Sequence, residues 1–187
     1  MDTCIFLRHG EVDNPKKVFY GRVLDIPLNN KGRIQIESIT EKITELHLQI
    51  TLIYSSPLLR ALQTAKIIAN KIDVSITPIQ GLIDVDIPAL TGKPLSLRKE
   101  LHAKGEDEYS GIWVERGNET RDHIAQRMQR VFQRIKNENK NGFPIVVSHG
   151  DPLLCLLFSL ENPNKKLPRI GELKKPVMQL IKDAELF

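Results

Sequence analysis

Two apolar segments of this chain each end in a histidine followed by a glycine. The first, Cys4 to Leu7, continues into Arg8-His9-Gly10, and the second, Pro144 to Val147, continues into Ser148-His149-Gly150. Short apolar runs with polar boundaries are typical of buried strands. In a parallel α/β sheet the carboxyl ends of the strands share one edge, where ligands bind. The sequence therefore predicts that both histidines lie at this edge.

Strand-like and helix-like segments alternate along most of the chain, which favours a three-layer α/β/α fold with a mostly parallel central sheet. The predicted strands are residues 4–7, 52–54, 75–79, 144–147 and 177–181. Apolar residues at helical spacing are Ile36, Ile39, Ile43, Leu46 and Ile50. The same spacing recurs over residues 58–72 and over residues 124–135. We expect Ser55 or Ser56 to cap the second helix, and Asp151, followed by Pro152, to cap a helix over residues 153–160.

Residues 81–117 show no persistent period and contain scattered proline, glycine and charged residues. A structureless stretch of that length is uncommon in a compact domain unless it is functional or contains short elements that the sequence does not reveal, so its helix content stays open. We interpret it as a small lid within a single domain spanning residues 1–187.

Composition restricts the classes of partner and location. The chain has 27 basic and 23 acidic residues, a net charge of +4, and no dense basic stripe with aromatic residues. This balance favours a small anionic ligand over nucleic acid. Cys4 and Cys155 fit no disulfide framework, and no leader or membrane span is recognisable. We expect a cytoplasmic protein without membrane contact; the sequence leaves its oligomeric state open.

A third unusual group accompanies the two histidines. Arg60 follows the strand at 52–54 by one helical turn, so Arg8 and Arg60 are expected at the same edge. Two guanidinium groups about 4 Å apart repel by roughly 4 kcal/mol at an effective dielectric constant near 20. A bound dianion such as phosphate offsets this repulsion, and arginine's planar fork matches its oxygens. Gly10 and Gly150 would let a ligand approach the backbone closely.

These residues also carry a resemblance. The Arg8-His9-Gly10 strand end, "FYGRVLDIPLNNKGR", "SSPLLRALQTA", "GNET" before a helix and the late "VVSHG" resemble, in order, the histidine phosphatase superfamily, also called the phosphoglycerate mutase-like family. The resemblance implies that His9 attacks phosphorus and becomes a phosphohistidine. It implies that His149, Arg8 and Arg60 hold the phosphoryl oxygens, and that no metal or cofactor is required.

The chain departs from the family pattern at the expected acid. The pattern Leu-x-Glu-x-x-x-Gly-x-x-x-Gly is matched by Leu82 to Gly92, with Asp84 in place of the glutamate and Pro88 in place of the first glycine. Asp84 is thus the candidate acid, one methylene shorter than glutamate. Other carboxylates that remain candidates for this role are Glu11, Asp86 and Asp151.

The same resemblance suggests the residues that contact substrate. Asn14 lies five residues after His9, where the family often has an asparagine six residues on, and Pro15 occupies the sixth place. Tyr20 and Gly21 occupy positions at which the family usually approaches the substrate. We predict that Asn14, Tyr20, Gly21 and Gly150 contact the ligand.

The resulting hypothesis is a metal-independent phosphomonoesterase that acts on a small phosphorylated metabolite. The alternatives are phosphoglycerate mutase-type transfer, a non-catalytic module that binds a phosphorylated ligand, and a nucleic-acid binder. Segment 118–120 is either a plain helix start or part of the site, and Tyr109 and Trp113 are expected to pack locally. His47, His102 and His123 lack the spacing of metal ligands.

Overall fold

Strands and helices alternate in the computed structural model, which describes residues 4–139 and 142–170. The strands are β1 (Ile5–Arg8), β2 (Ile50–Ser55), β3 (Ile76–Pro78) and β4 (Phe143–Ser148). The helices are α1 (Asn30–Glu45), α2 (Leu59–Ile72), α3 (Ser96–Ala103), α4 (Ile112–Glu115), α5 (Arg121–Glu138) and α6 (Gly150–Glu161), with a 3₁₀ turn at Gln80–Leu82. The predicted strand at 177–181 lies outside the described residues.

The four strands form a parallel sheet in the order β1-β4-β2-β3. The prediction of an α/β fold around a parallel sheet is confirmed. The register pairs Arg8 with Ser148, so the two strands that precede His9 and His149 end side by side.

Side chains alternate between the two faces of the sheet and form a separate core on each face. Ile5, Leu7 and Ile53 pack against α1 and α2, whereas Phe6 and Tyr54 pack against α5 and α6. Because both faces are covered, the strands are apolar at consecutive positions rather than at alternate ones. The three layers follow directly from this double burial.

Helix boundaries differ from the sequence expectation at three places. Ile50 begins β2 rather than ending α1, because the chain leaves α1 at Leu46. Neither Ser55 nor Ser56 is the N-cap of α2; that residue is Leu58, although Ser56 Oγ accepts a hydrogen bond from Leu58 N–H at 3.3 Å. The N-cap of α6 is His149, which moves Asp151 into the first turn.

The segment at 81–117 contains regular structure that its sequence did not reveal. Its first part, with Leu82, Val85, Ile87 and Leu90, is buried in the core that α5 and α6 also form. Its second part contains α3 and α4, and α3 borders the cavity described below. Because this part of the chain is irregular, its buried apolar residues show neither the two-residue period of a strand nor the 3.6-residue period of a helix.

Within residues 4–139 and 142–170, no helix has the length and apolarity required to cross a bilayer.

Candidate active site

His9 and His149 lie next to each other at the carboxyl edge of the sheet. The backbone N–H of His9 donates to the carbonyl of Ser148 at 3.1 Å, and the ring centroids are 5.0 Å apart. Both residues are buried, with 5% and 1% of their surface exposed. The sheet register alone brings together two histidines separated by 140 positions in sequence.

The ring of His9 is held in one tautomer. Its Nδ1 lies 2.7 Å from the carbonyl oxygen of Gly10. A carbonyl oxygen can only accept, so Nδ1 carries the proton and Nε2 keeps a lone pair. Burial lowers the pKa of His9 well below its usual value, and His149, Arg8 and Arg60 lower it further. The ring is therefore neutral near pH 7, as a nucleophile must be.

His149 is fixed by a serine that the sequence analysis treated only as a helix cap. Its Nε2 lies 2.7 Å from Ser56 Oγ. Nδ1 lies 3.4 Å from Asp84 Oδ2 and has no hydrogen bond to any residue that the structure describes. Burial, followed by Arg60 and Arg8, lowers the pKa of His149. One edge of this ring thus faces Asp84.

Arg60 is fully buried at the base of the site. Its Nη2 donates to the Gly21 carbonyl at 2.7 Å and to Asp84 Oδ2 at 2.8 Å, and its Nη1 donates to the Val23 carbonyl at 3.1 Å. The Nε atoms of Arg8 and Arg60 are buried and have no hydrogen-bond partner within the described part of the chain. A bound oxyanion would supply an acceptor for them.

A cavity of about 520 Å³ opens beside these groups. The residues that line it include Arg8, His9, Asp84 and Gly150, together with residues of α3. This volume lies within the range usual for sites that hold a whole small molecule.

Known proteins resemble this chain in sequence and in fold. A family model described as the histidine phosphatase superfamily (branch 1) matches residues 4–175. This chain belongs to the histidine phosphatase superfamily.

Two curated relatives illustrate the similarity. The chain is 27% identical to phosphoglycerate mutase-like protein 4 of Arabidopsis thaliana, over 89% of this chain and 74% of that protein. It is also 27% identical to phosphoserine phosphatase 1 of Hydrogenobacter thermophilus, over 86% and 76% of the two chains.

A solved structure is similar as well. The phosphoserine phosphatase of Entamoeba histolytica, as a mutant in complex with phosphoserine, superposes with a TM-score of 0.70 at 25% identity, over 86% of this chain and 80% of that one. The family and these relatives identify the present chain as a histidine phosphatase, an enzyme that hydrolyses phosphoric monoesters.

The structure brings the predicted Asp84 into the site of this histidine phosphatase. Oδ2 pairs with Arg60, and Oδ1 accepts from the Val85 backbone N–H at 2.8 Å. The Asp84 backbone carbonyl accepts hydrogen bonds from Arg22 and Arg127. The short side chain is thus presented by a backbone that two arginines hold in place.

Three of the four predicted contact residues line the cavity: Tyr20, Gly21 and Gly150. The guanidinium carbon of Arg60 lies over the Tyr20 ring, 4.8 Å from the ring centroid. Burial raises the pKa of Tyr20. Gly21 has φ of +40°, and a Cβ there would meet Ile87 Cγ1 at 2.9 Å. Only glycine fits this position without strain.

Asn14 does not line the cavity. Its side-chain amide closes the turn to Val18, donating to the Val18 carbonyl at 2.9 Å and accepting from the Val18 N–H at 3.2 Å. The explanation offered for Gly10 also needs correction. A Cβ on Gly10 would lie 2.6 Å from the carbonyl oxygen of Gly32 in α1, so packing of α1 requires this glycine.

The other candidate carboxylates occupy different surroundings. Glu11 is exposed and pairs with Lys31, which lowers its pKa. Asp86 pairs with Arg22 at 2.9 Å outside the cavity. Asp151 lines the cavity but is bound by Arg98 and Tyr109. Asp84 is the one of these four carboxylates that contacts both Arg60 and His149.

Two supporting groups escaped the sequence analysis. Thr64 Oγ1 accepts from the Gly10 N–H at 3.1 Å and donates to the Arg60 carbonyl, joining α2 to the chain after His9. Arg127 donates to the carbonyls of Gly81, Ile83 and Asp84, besides pairing with Glu119. Sequence reasoning could have found these two residues as polar side chains among the apolar positions at which α2 and α5 face the protein interior.

Segment 118–120 begins a helix and does not line the cavity, although its Glu119 holds two arginines that bind the Asp84 carbonyl. Thr120 is the N-cap of α5, and its Oγ1 accepts from His123 N–H at 3.2 Å. Glu119 is buried and accepts from Arg22, Arg127 and the Asp86 N–H. Burial opposes its ionisation, but Arg127 and the other donors outweigh that effect and lower the pKa of Glu119.

Among the described residues, no three or more His, Cys, Asp or Glu side chains converge as metal ligands.

Proposed function

We propose that this protein hydrolyses phosphomonoesters through a covalent phosphohistidine on Nε2 of His9. The observation that carries the proposal is the Nδ1–H bond to Gly10, which leaves a lone pair on Nε2 of a buried, neutral ring. Arg8 lines the cavity beside His9, and the His149 ring centroid lies 5.0 Å from that of His9. Arg60 is close enough for its charge to lower the pKa of His9, so these groups are suited to hold a phosphoryl group.

In the first step His9 Nε2 attacks phosphorus, a P–N bond forms and the P–O bond to the alcohol breaks. The leaving oxygen needs a proton, and we assign its donation to Asp84. His149 and the two arginines stabilise the charge on the phosphoryl oxygens as it redistributes.

In the second step a water molecule attacks the phosphohistidine, and Asp84, now a carboxylate, accepts its proton. The P–N bond breaks, inorganic phosphate leaves, and His9 returns to its starting state. Each proton that Asp84 donates in the first step is thus recovered in the second.

Asp84 shares Arg60 with the phosphoryl group in this proposal. In the structure Asp84 Oδ2 holds Arg60 at 2.8 Å, and an incoming phosphate competes with this carboxylate for the same guanidinium.

The proposed substrate is a small phosphorylated metabolite that the cavity of about 520 Å³ can enclose. A cytoplasmic setting belongs to the proposal, because the buried Cys155 is a thiol and not half of a disulfide, as is usual in reducing compartments.

The test is hydrolysis of p-nitrophenyl phosphate and a panel of metabolite phosphates in the presence of EDTA. We expect turnover in the wild type, loss of at least about 10³-fold in His9→Ala, and none of that loss in His47→Asn. His47 is an exposed histidine outside the site and provides the matched control. Rapid quenching should trap an acid-labile phosphoprotein that His9→Ala lacks.

Other outcomes separate the alternatives. Return of the phosphoryl group to a second hydroxyl instead of water would identify a mutase. Phosphate binding without any turnover or phosphoprotein would identify a non-catalytic module. Full activity in His9→Ala would overturn the proposed nucleophile, and loss of activity in EDTA would overturn metal independence.

A further inference from the structure

The Asp84 side chain is short, so the position of its carboxyl group depends closely on the backbone that carries it. Residues 83–87 form neither helix nor strand, and regular structure therefore does not supply partners for their carbonyl groups. Two guanidinium groups bind the Asp84 carbonyl instead: Arg22 Nε donates to it at 2.9 Å and Arg127 Nη2 at 3.2 Å. A carbonyl oxygen can accept two hydrogen bonds. The two arginines thus hold the backbone of the candidate acid.

Arg127 extends this support to the chain that precedes Asp84. The residue belongs to α5 and is buried. Its Nη1 donates to the Gly81 carbonyl at 2.9 Å and to the Ile83 carbonyl at 2.8 Å. One side chain of α5 therefore fixes three carbonyl groups, at positions 81, 83 and 84, along the approach to the carboxyl group.

Glu119 holds both arginines in turn. It is buried at the start of α5, and its carboxylate accepts from Arg127 Nε at 2.7 Å and from Arg22 Nη2 at 3.3 Å. Its Oε2 also accepts from the Asp86 N–H at 3.2 Å, and the Glu119 N–H donates to the Asp86 carbonyl at 2.7 Å. A single carboxylate thus connects the two guanidinium groups to the chain just past the candidate acid.

We propose that Glu119 is a positioning residue for proton transfer, which acts through Arg127 and Arg22 to place the Asp84 carboxyl group at the leaving oxygen. The inference rests on the proposed function, because it requires Asp84 to be the acid. Glu119 does not line the cavity, so it acts without touching the substrate. A merely structural role would lower stability but would not distinguish substrates by their leaving groups.

The test compares kcat/KM for glycerol 3-phosphate, whose leaving alcohol requires a proton, with kcat/KM for p-nitrophenyl phosphate, whose phenolate does not. We expect Glu119→Gln to lower the ratio of the first value to the second by about tenfold or more. The amide keeps the size of the side chain but places an N–H donor against a guanidinium donor. Misplacing a reacting group by about 1 Å can cost about 10²-fold in rate.

Arg22→Met provides a second variant with a smaller effect on the core. The Arg22 side chain is 32% exposed, and its loss removes one of the two hydrogen bonds to the Asp84 carbonyl. This variant should lower the same ratio. An unchanged ratio in either Glu119→Gln or Arg22→Met would overturn the inference.

Asp107→Asn is the matched control. Asp107 is a buried carboxylate that pairs with Arg121 of α5, as Glu119 pairs with Arg127. Its other hydrogen bonds are to Tyr109 and Ser110, outside residues 81–87. The ratio should stay at the wild-type value in this variant. An equal fall of the ratio in Asp107→Asn would assign the effect to the loss of any buried charge and would overturn the inference.

A double variant separates positioning from general disruption. When Glu119→Gln is added to Asp84→Asn, the ratio should not fall further, because the carboxyl group that Glu119 positions is already gone. A further fall would contradict the positioning role. An unchanged ratio in Asp84→Asn itself would instead contradict the proposed acid, so the two ideas fail separately.

Discussion

Arg60 and Asp84 form an ion pair at the base of the site, with Nη2 2.8 Å from Oδ2 and the arginine side chain fully buried. The two residues come from α2 and from the chain after the 3₁₀ turn, 24 positions apart. Arg60 also holds the carbonyls of Gly21 and Val23, so one guanidinium joins the loop before the cavity to the candidate acid.

Arg60→Met is expected to destabilise the fold by about 3 kcal/mol, since it leaves a largely buried carboxylate without its cation. Adding Asp84→Asn should recover part of this loss, because the stranded charge is then removed. Urea unfolding of the two single variants and the double variant measures the coupling. A double variant less stable than Arg60→Met would contradict this account of the pair.

Asp84→Asn should slow hydrolysis most for substrates whose leaving groups require protonation. We expect kcat/KM to fall by about 10²-fold or more for an alkyl phosphate such as glycerol 3-phosphate. The fall should be much smaller for p-nitrophenyl phosphate, whose phenolate leaves without protonation. Equal losses for both esters in steady-state assays would show that Asp84 is not the acid.

The free energy of unfolding should decrease as the pH falls, because His9 and His149 are buried. Their pKa values in the folded protein lie well below the usual value. The unfolded chain therefore binds more protons below about pH 6.5, and stability is lost as the pH falls through that range. The slope is at most about 1.4 kcal/mol per pH unit for each histidine.

Urea unfolding between pH 7.5 and 5.0 measures this slope. The double variant His9→Gln/His149→Gln should show a shallower dependence, since both titrating groups are gone. An identical pH dependence in the two proteins would assign the acid sensitivity to other groups.

Thr64→Val should lower kcat although Thr64 lies outside the cavity. The change keeps the side-chain volume but removes the acceptor for the Gly10 N–H, so the chain that carries His9 loses a buried contact. We expect a loss of about 1–2 kcal/mol in stability and a clear reduction in turnover of p-nitrophenyl phosphate.

Thr40→Val is the matched control for that variant. Thr40 is buried in α1 and donates to the Ile36 carbonyl four residues earlier, as Thr64 does to Arg60, but it makes no contact with the site. Its stability should fall while turnover is retained. Equal turnover in Thr64→Val and Thr40→Val would remove Thr64 from any role in positioning His9.

Much of the fold was predictable because its signals are local. The apolar runs before His9 and His149 correspond to β1 and β4, and the stripe from Ile124 to Ile135 lies in α5. Strands of a parallel sheet that is covered on both faces are recognisable in the sequence as short continuous apolar runs. The residues between Leu82 and Leu90 gave no such signal, since they pack into the core without a repeating conformation.

The sequence by itself determined the layered α/β architecture, the two histidines and Arg8 at strand ends, and Arg60 at the start of the helix that follows β2. Only the tertiary structure decided which atoms are available. In the folded protein, Nδ1 of His9 faces the Gly10 carbonyl and His149 contacts Ser56. The Asn14 side chain closes its own turn and does not line the cavity. Strand periodicity depends on neighbours along the chain, whereas tautomers and ion pairs depend on groups that only folding brings within about 3 Å of each other.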